Sequence, residues 1–349
     1  MTNYFQSIMS SYNQAQTSRS ISESELFKLE ELAVYFNQES NIIEGILNTI
    51  RGDKSEVKAV DDVNITLRPN EVQGVIGESG CGKSTLLKTM VGLQDLTAGE
   101  MFFEGQPISK FNKEDLHAFR RDVQMIFQDP FNSLDPKYTI SDMLSEQLQI
   151  HELENTTARK REILRQVELN PPESYLNKYP DELSGGEKQR ASIARALIVD
   201  PKVLLADEPV SMLDVSTQAS ILRLLSEIVS NNDLWMMYIS HYISTVSYVC
   251  DYINVMYLGR LIEKAPTESV LQDPKHPYTH ALVQAVPVPD PQNERARISI
   301  DGKIPDPLNV PTGCRFKDRC PEQMEICDQM PKSRSIESNE RRVACHLYD

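Results

Sequence analysis

The sequence predicts an α/β fold in which a mostly parallel sheet is covered by helices on both faces. Short apolar runs such as Val203–Ala206 and Trp235–Ser240 are typical of strands that are buried on both sides. Charged, helix-forming stretches such as Ala158–Leu169 alternate with them. The 349 residues are 40% hydrophobic and 25% charged, which is typical of a globular protein of about two domains.

Charge and hydropathy exclude several classes of protein. The chain has 36 basic and 51 acidic residues, a net charge of −15, and so lacks the basic footprint of a nucleic-acid-binding protein. No apolar run approaches the roughly 18 residues that a membrane helix needs. Residues 1–26 contain one basic residue, Arg19, and no apolar block, so we expect no secretory signal. The chain is expected to be cytosolic or docked onto a membrane partner.

The amino-terminal part is predicted to contain a tail, several strands and one insertion. Residues 1–25 are polar and contain no Gly or Pro, which is typical of a loose tail. The insertion covers residues 37–56 and is expected to be partly helical around Ile42–Ile50. Alternating or continuous apolar runs predict strands over Leu26–Glu30, Glu31–Phe36, Val60–Leu67 and Glu71–Ile76.

A phosphate-binding loop follows the last of these strands. Gly77–Thr85 matches the pattern G-x-x-x-x-G-K-[ST] and precedes an apolar helix. Glycines let the backbone wrap around phosphates, so that N–H groups and the helix N-terminus face the negative charge. Lys83 is expected to reach the β- and γ-phosphates, and Ser84 to bind Mg²⁺. The predicted nucleotide-binding residues are Gly77, Glu78, Ser79, Gly80, Cys81, Gly82, Lys83, Ser84 and Thr85.

Two adjacent carboxylates end a second apolar strand. Asp207 and Glu208 follow Val203–Ala206 and lie well beyond Lys83, on a separate strand. Asp207 suits the outer shell of Mg²⁺, and Glu208 can act as general base toward the attacking water. An ordinary strand end has the same pattern, but the position relative to the loop favours a catalytic pair.

A second anion-binding motif precedes the helix predicted over Lys188–Val199. Leu183–Glu187 reads Leu-Ser-Gly-Gly-Glu, and a serine with two glycines at a helix start can bind an anion. One chain does not need two γ-phosphate sites, so this motif is expected to serve the nucleotide of another subunit. The sequence here resembles the ATP-binding cassette (ABC) ATPases, whose signature is Leu-Ser-Gly-Gly-Gln. The matching residues are Ser184, Gly185, Gly186 and Glu187.

The resemblance implies an ABC-type P-loop NTPase that uses ATP and Mg²⁺. Its fold would be a RecA-like core with an antiparallel β subdomain and a helical subdomain, followed by a small cysteine-containing extension. On this basis we expect a tail at 1–25, a nucleotide-binding domain at 26–270 and an extension at 271–349. The helical subdomain is expected at about 131–195.

Four further positions match functional residues of the family. Gln128 matches the Q-loop glutamine that touches Mg²⁺ and senses the membrane partner, and Asp214 matches the D-loop aspartate at the dimer interface. His241 matches the switch histidine that contacts the γ-phosphate. Phe36 stands where the family places the aromatic ring that stacks on adenine, with Tyr35 as the less favoured choice.

The resemblance is stronger to one subfamily. Gly77–Thr85, Phe127–Pro136 and His276–Thr279 look like the ATPase subunits of oligopeptide and dipeptide importers, and the insertion resembles that of the F-type subunit. Two departures are Glu187, in place of the signature Gln, and Val210, in place of a Thr. Neither position supplies the base or a metal ligand, so we expect activity and leave its rate open.

The subfamily implies an assembly at the cytoplasmic face of the cell membrane, with the chain bound peripherally. Its partners would be a second ATPase subunit, as a heterodimer with a D-type subunit, two membrane permeases and an extracytoplasmic solute-binding protein. No nucleic-acid partner is expected.

Other functions stay open at this point. The cargo could be an oligosaccharide or nickel instead of a peptide. A soluble ABC ATPase of DNA repair or translation is disfavoured by the single cassette, the lack of long heptads and the acidic charge. A nucleotide-binding partner with little turnover is disfavoured because Lys83, Gln128, Glu208 and His241 are all present.

Four of the six cysteines lie in the last 36 residues, at Cys314, Cys320, Cys327 and Cys345. A structural zinc site usually opens with two cysteines two to four residues apart, and this spacing is absent. Importer ATPases with this tail resemble carriers of a 4Fe–4S cluster held by four thiolates. The resemblance therefore implies such a cluster, with zinc or four free thiols as the alternatives.

Overall fold

The computed structural model describes residues 25–37, 56–68, 71–285, 308 and 310–349. The predicted tail, apart from Glu25, lies outside these residues, as does the helix expected around Ile42–Ile50. The strands are β1 (Phe27–Asn37), β2 (Glu56–Leu67), β3 (Val72–Ile76), β4 (Ala98–Phe103), β5 (Gln106–Pro107), β6 (Val123–Ile126), β7 (Val203–Asp207), β8 (Trp235–Ile239), β9 (Tyr252–Tyr257), β10 (Arg260–Pro266), β11 (Arg334–Ile336) and β12 (Ser338–Val343).

Helices connect most of these strands. They are α1 (Lys83–Met90), α2 (Lys113–Asp122), α3 (Pro130–Ser133), α4 (Ile140–Ile150), α5 (Thr157–Gln166), α6 (Glu173–Leu176), α7 (Gly185–Leu197), α8 (Val215–Asn231), α9 (Ile243–Val249), α10 (Thr267–Gln272) and α11 (Pro277–Gln284). No helix in the described ranges is long and apolar enough to cross a membrane.

The larger sheet has the order β11-β12-β10-β9-β3-β8-β7-β6, and the strands from β9 to β6 are parallel. Every residue of β3, β7 and β8 is buried. Alternate residues of β7 belong to two hydrophobic cores: Leu204 packs with the apolar faces of α7 and α8, and Leu205 packs with α1 and the smaller sheet. The predicted α/β fold is therefore confirmed, because only a sheet covered on both faces buries both sides of a strand.

The smaller sheet is antiparallel in the order β2-β1-β4-β5. The two predicted strands at Leu26–Glu30 and Glu31–Phe36 form the single strand β1, whose pairing register shifts next to Glu31. Glu31 has a left-handed backbone (φ 48°), and Gly99 lies against it so closely that a Cβ would be 2.4 Å from the Glu31 carbonyl oxygen. The bulge thus needs a glycine on the neighbouring strand.

Helices α3 to α7 follow one another between β6 and β7. Apolar side chains of α4 to α7 share the larger core, with Leu148 of α4, Leu164 of α5 and Ile193 of α7 almost fully buried. α7 begins at Gly185, three residues before the predicted start at Lys188, because Ser184 caps it. This start brings the two glycines into the first turn of the helix.

The chain after residue 310 joins the larger sheet through β12, which pairs with β10. Arg341 of β12 donates to the buried carboxylate of Glu263 on β10 at 3.2 Å, and both side chains are at most 5% exposed. Glu263 also accepts the backbone N–H groups of Lys275 and His276. The carboxy-terminal strands are therefore fixed to the sheet that carries the predicted phosphate-binding loop.

Candidate nucleotide site

The phosphate-binding loop connects β3 to α1 and closes around its own lysine. Gly82, the residue before α1, has φ 105°, and a Cβ there would lie 1.8 Å from the carbonyl oxygen of Ala59. Glycine is therefore required at this turn. Lys83 is 5% exposed, and its Nζ donates to the carbonyl oxygens of Gly77 (2.8 Å) and Glu78 (2.9 Å). The ammonium group is thus held at the centre of the loop.

A cavity of about 510 Å³ opens beside this loop. It brings residues of the loop together with three residues that the sequence predicts to be catalytic. Its lining consists of Val57, Lys58, Ala59, Ser79, Gly80, Gly82, Lys83, Ser84, Thr85, Gln128, Glu208, His241, Leu258, Gly259 and Val310. The predicted loop residues outside this lining, Gly77, Glu78 and Cys81, supply hydrogen-bond acceptors for the Lys83 ammonium group.

The two residues predicted to hold Mg²⁺ from the loop and from β7 are in contact. Ser84 Oγ donates to Asp207 Oδ1 at 3.1 Å. Burial raises the pKa of Asp207, an effect that the Ser84 hydrogen bond opposes and the neighbouring Glu208 charge reinforces. A cation would relieve this cost, and oxygen atoms are the ligands that Mg²⁺ prefers. The residues present therefore fit a magnesium ion.

Gln128 and His241 converge on one oxygen atom of Glu208. Gln128 Nε2 donates to Glu208 Oε2 at 3.2 Å, and His241 Nδ1 lies 2.9 Å from the same oxygen. Glu208 has a left-handed backbone (φ 45°). Its N–H group donates to the Ile239 carbonyl oxygen at 3.0 Å, and this hydrogen bond holds the backbone in place. The three residues predicted to be catalytic thus meet at the carboxyl ends of β6, β7 and β8.

The structure separates the two aromatic candidates for adenine stacking. Tyr35 donates from its hydroxyl group to Asp61 at 2.6 Å, and Asp61 also pairs with Arg260 and Arg315. The Tyr35 ring is thus fixed in an ionic cluster. Phe36 is 38% exposed on β1 and pairs with Val57, which lines the cavity. Phe36 itself is not in the lining, so its role stays a prediction.

The signature motif caps its own helix. Glu187 Oε2 accepts hydrogen bonds from Ser184 N (2.8 Å) and Ser184 Oγ (2.7 Å), and Tyr175 donates to Oε1 at 2.8 Å. These hydrogen bonds hold the pKa of Glu187 below its usual value, and the bond from the Ser184 hydroxyl has the largest effect. The predicted residues Ser184, Gly185, Gly186 and Glu187 do not line the cavity of their own chain.

Asp214 also lies outside this lining and caps α8. Its Oδ1 accepts the N–H groups of Ser216 and Thr217, both at 3.1 Å. Hydrogen bonds from the Ser216 and Thr217 side chains keep the pKa of Asp214 far below its usual range. Asp214 therefore fixes the start of α8, and its role at a subunit interface stays a prediction.

The four carboxy-terminal cysteines do not form the metal site that the sequence led us to expect. In the described ranges, no group of three or more His, Cys, Asp or Glu side chains is arranged to hold a metal ion. Burial raises the pKa of Cys314, Cys320 and Cys345, that of Cys345 to about 11. Cys314 and Cys327 instead belong to the hydrophobic core. The prediction of a 4Fe–4S cluster, with zinc as its alternative, is therefore wrong.

Sequence reasoning missed two contacts to the phosphate-binding loop. Arg319 binds the Glu78 carboxylate through both terminal nitrogens, at 2.8 and 2.9 Å. The Tyr278 hydroxyl oxygen accepts the Glu78 backbone N–H at 2.9 Å. No sequence pattern indicates the pair of Glu78 and Arg319, which are 241 residues apart. The His276–Thr279 motif did indicate the segment that contains Tyr278.

Two family profiles match the chain. The ABC transporter family matches residues 60–211, which include the loop, Gln128, the signature and the carboxylate pair. The oligopeptide/dipeptide transporter C-terminal region matches residues 262–327, which include Tyr278 and Arg319.

Curated relatives agree with these matches. The putative oligopeptide transport ATP-binding protein YkfD of Bacillus subtilis (strain 168) is 42% identical over 304 residues, 85% of this chain and 92% of that protein. The oligopeptide transport ATP-binding protein OppF of Haemophilus influenzae (strain ATCC 51907 / DSM 11121 / KW20 / Rd) is 40% identical over 314 residues, 86% of this chain and 94% of that protein.

Solved structures match the fold. One is cbiO1 from Clostridium perfringens, part of an ABC transporter complex, at a TM-score of 0.58 and 26% identity over 72% of this chain and 92% of that chain. Another is the dimeric structure of MJ0796, a bacterial ABC transporter cassette. Its TM-score is 0.58 and its sequence identity is 25%, over 69% of this chain and 99% of that chain.

Proposed function

The chain belongs to the ATP-binding proteins of oligopeptide and dipeptide ABC transporters, and we propose that its hydrolysis of ATP drives the uptake of such peptides. The match over residues 262–327 and the names of the relatives support a peptide cargo over an oligosaccharide or nickel. They also support transport over a role in DNA repair or translation.

The observation that carries the mechanism is the pair of contacts at Glu208 Oε2. Gln128 and His241 both reach this oxygen at the edge of the cavity, beside the phosphate-binding loop. They would hold the carboxylate so that it accepts a proton from the attacking water. Ser84 and Asp207 would hold Mg²⁺, which when bound neutralises charge on the phosphates.

The remaining expectations form one assembly proposal. The nucleotide-binding domain would cover residues 26–270, with a helical part at about 131–195, and the extension would cover 271–349. Two ATPase subunits, this chain and a D-type partner, would each present the signature to the nucleotide of the other. They would bind two permeases at the cytoplasmic face of the membrane, and a solute-binding protein would deliver the peptide. The capping of α7 by the signature supports this arrangement, because that helix N-terminus lies outside the chain's own cavity.

Replacing Glu208 with Gln tests the catalytic assignment. We expect ATP turnover by the assembled transporter to fall by about 10²- to 10⁴-fold, because the amide cannot accept the proton, while ATP still binds. Glu227→Gln is the control, since Glu227 lies on the exposed face of α8 and pairs with Arg223 at 3.9 Å. Turnover near the wild-type rate in Glu208→Gln would show that another group is the base.

Reconstitution in vesicles tests the cargo. The chain is combined with its partner ATPase, the permeases and the solute-binding protein, and uptake of labelled peptide, oligosaccharide and nickel is measured with ATP. We expect uptake of peptide alone. ATP-driven uptake of another cargo without peptide uptake would contradict the proposed substrate and leave the ATPase assignment intact.

A further inference from the structure

We propose that the carboxy-terminal part of the chain positions the phosphate-binding loop for ATP, and that Arg319 and Tyr278 are the positioning residues. The proposal rests on ATP binding at this loop and not on the cargo. It assigns a role to the region that matches the oligopeptide/dipeptide transporter C-terminal profile, none of whose residues is in the predicted catalytic set.

The first contact is a two-point ion pair. The Arg319 terminal nitrogens donate to both carboxylate oxygens of Glu78, at 2.8 and 2.9 Å, and one of them also donates to the Tyr257 hydroxyl at 3.2 Å. The side chains of Arg319 and Glu78 are only 7% and 22% exposed. A bidentate pair shielded from water is stronger and more exact in geometry than a surface salt bridge. Arg319 therefore fixes the position of the Glu78 side chain.

The second contact fixes the backbone of the same residue. The hydroxyl oxygen of Tyr278 accepts the N–H of Glu78 at 2.9 Å, and Tyr278 is fully buried. Its ring lies 4.7 Å from that of Tyr257 and 5.4 Å from that of Phe316, between the centroids. The ring cannot move without displacing these neighbours, so the hydroxyl group is a fixed acceptor for the loop.

These contacts reach the group that binds phosphate. The carbonyl oxygen of Glu78 accepts a hydrogen bond from Lys83 Nζ at 2.9 Å. Glu78 is therefore held at its N–H by Tyr278, at its carboxylate by Arg319 and at its carbonyl oxygen by Lys83. Arg319 also neutralises a carboxylate within the loop that must receive a polyphosphate. Without Arg319, that negative charge would oppose the binding of ATP.

The chain contains a matched control two residues away. Lys317 lies in the same 3₁₀ helix as Arg319, Lys317–Arg319, and it also forms an ion pair. Its partner is Asp328, at 2.8 Å, whose side chain is 75% exposed and lies in the carboxy-terminal segment itself. The two pairs differ in whether they reach the loop.

The test compares Arg319→Met with Lys317→Met in the full chain. ATP affinity is measured by calorimetry, and KM and kcat are measured in the assembled transporter. For Arg319→Met we expect Kd and KM for ATP to rise about tenfold with kcat changed by less than about threefold, because the loop binds ATP in both ground and transition states. For Lys317→Met we expect both constants to stay within about twofold of wild type.

Rescue separates positioning from a purely structural role. Adding Glu78→Gln to Arg319→Met removes the unpaired charge, so we expect it to recover most of the lost ATP affinity. Arg319→Lys keeps the charge without the two-point geometry and should give an intermediate Kd. A lower Tm in Arg319→Met with an unchanged Kd for ATP would overturn the proposal, as would an equal loss of affinity in Lys317→Met. If Arg319→Met does not fold, an unchanged Kd in both Arg319→Lys and Tyr278→Phe would overturn it.

Discussion

His276 shows how much a single buried residue contributes at the start of a helix. Its Nδ1 accepts the N–H of Tyr278 at 3.1 Å, so this nitrogen must be unprotonated. The ring is 1% exposed, and burial lowers its pKa to about 3. Pro277 follows at the first position of α11, where a proline is well tolerated. The His-Pro-Tyr order thus caps the helix and sets the Tyr278 ring toward the loop.

We expect this histidine to make the fold sensitive to acid. The pKa of a histidine is about 6.5 in the unfolded chain. Below this pH the unfolded chain takes up a proton that the native state excludes. The free energy of unfolding therefore falls as the pH drops from about 6.5 toward 3. At pH 5.5 the loss from His276 should be about 1.4 kcal/mol. Urea unfolding at pH 7.5 and 5.5 measures it. His276→Asn keeps a capping side chain without the titration and should lose less stability between these pH values. An equal loss in both proteins would contradict this account.

Phe36 offers a second test at a single position. If the ring stacks on adenine, Phe36→Ala should weaken ATP binding about tenfold, whereas Phe36→Trp should preserve it. Tyr35→Phe is the matched control on the same strand, because it removes the hydroxyl bond to Asp61 and keeps the ring. Isothermal calorimetry with ATP distinguishes them. Unchanged affinity in Phe36→Ala would leave adenine recognition to other residues.

At the scale of elements, the sequence predicts best where one local rule decides the outcome. The apolar runs over Val203–Ala206 and Trp235–Ser240 became β7 and β8, because five consecutive buried positions suit a strand covered on both sides. The loop before α1 was predictable from the spacing of its glycines and lysine, and at Gly77 and Gly82 a Cβ would lie too close to a backbone oxygen atom. In both cases the signal lies in neighbouring residues.

Prediction from the sequence was wrong, or absent, where contacts between distant residues determine the structure. The cysteine spacing resembled that of a cluster-binding tail, but it says nothing of the packing that buries Cys314 and Cys327 in the core. The contacts of Glu78 with Arg319 and Tyr278 join segments more than 190 residues apart, and only the folded sheet brings them together. One local signal was also missed, because a capping pair, Ser184 with Glu187, starts α7 before the apolar pattern begins.

That capping pair can be tested at the scale of the helix. Glu187→Ala removes the acceptor of the Ser184 backbone N–H and of the Tyr175 hydroxyl, and we expect it to lower the free energy of unfolding by about 1 kcal/mol. Glu187→Gln can still accept the Ser184 N–H at its amide oxygen and can donate from its amide nitrogen to the Tyr175 hydroxyl oxygen, so it should cost less than half as much. Urea unfolding at pH 7 compares them. Because the pKa of Glu187 is lowered by folding, its stabilising effect should be lost as the pH falls through that value. Equal stability of the Ala and Gln variants would contradict the capping role.

At the scale of the whole molecule, the position of the signature predicts that a change there affects the association of two ATPase subunits rather than the binding of ATP by one chain. Ser184 caps α7 and Glu187 lies in its first turn, and neither residue lines the chain's own cavity, whose lining includes Gln128, Glu208 and His241. If the signature acts on the nucleotide of a partner subunit, a change at Ser184 should leave ATP affinity of the single chain intact. It should instead prevent the closed pair of subunits.

Ser184→Arg in a Glu208→Gln background tests this arrangement. Glu208→Gln alone should associate with its partner ATPase subunit when ATP is added, because ATP binds and is not hydrolysed. Adding Ser184→Arg places a bulky side chain at the helix N-terminus, and we expect ATP-dependent association in sedimentation velocity to be lost while the Kd for ATP stays within about twofold. Ser230→Arg, at the exposed end of α8, is the control and should associate normally. If Ser184→Arg weakens ATP binding by the isolated chain instead, the signature acts within its own subunit, and the shared site is wrong.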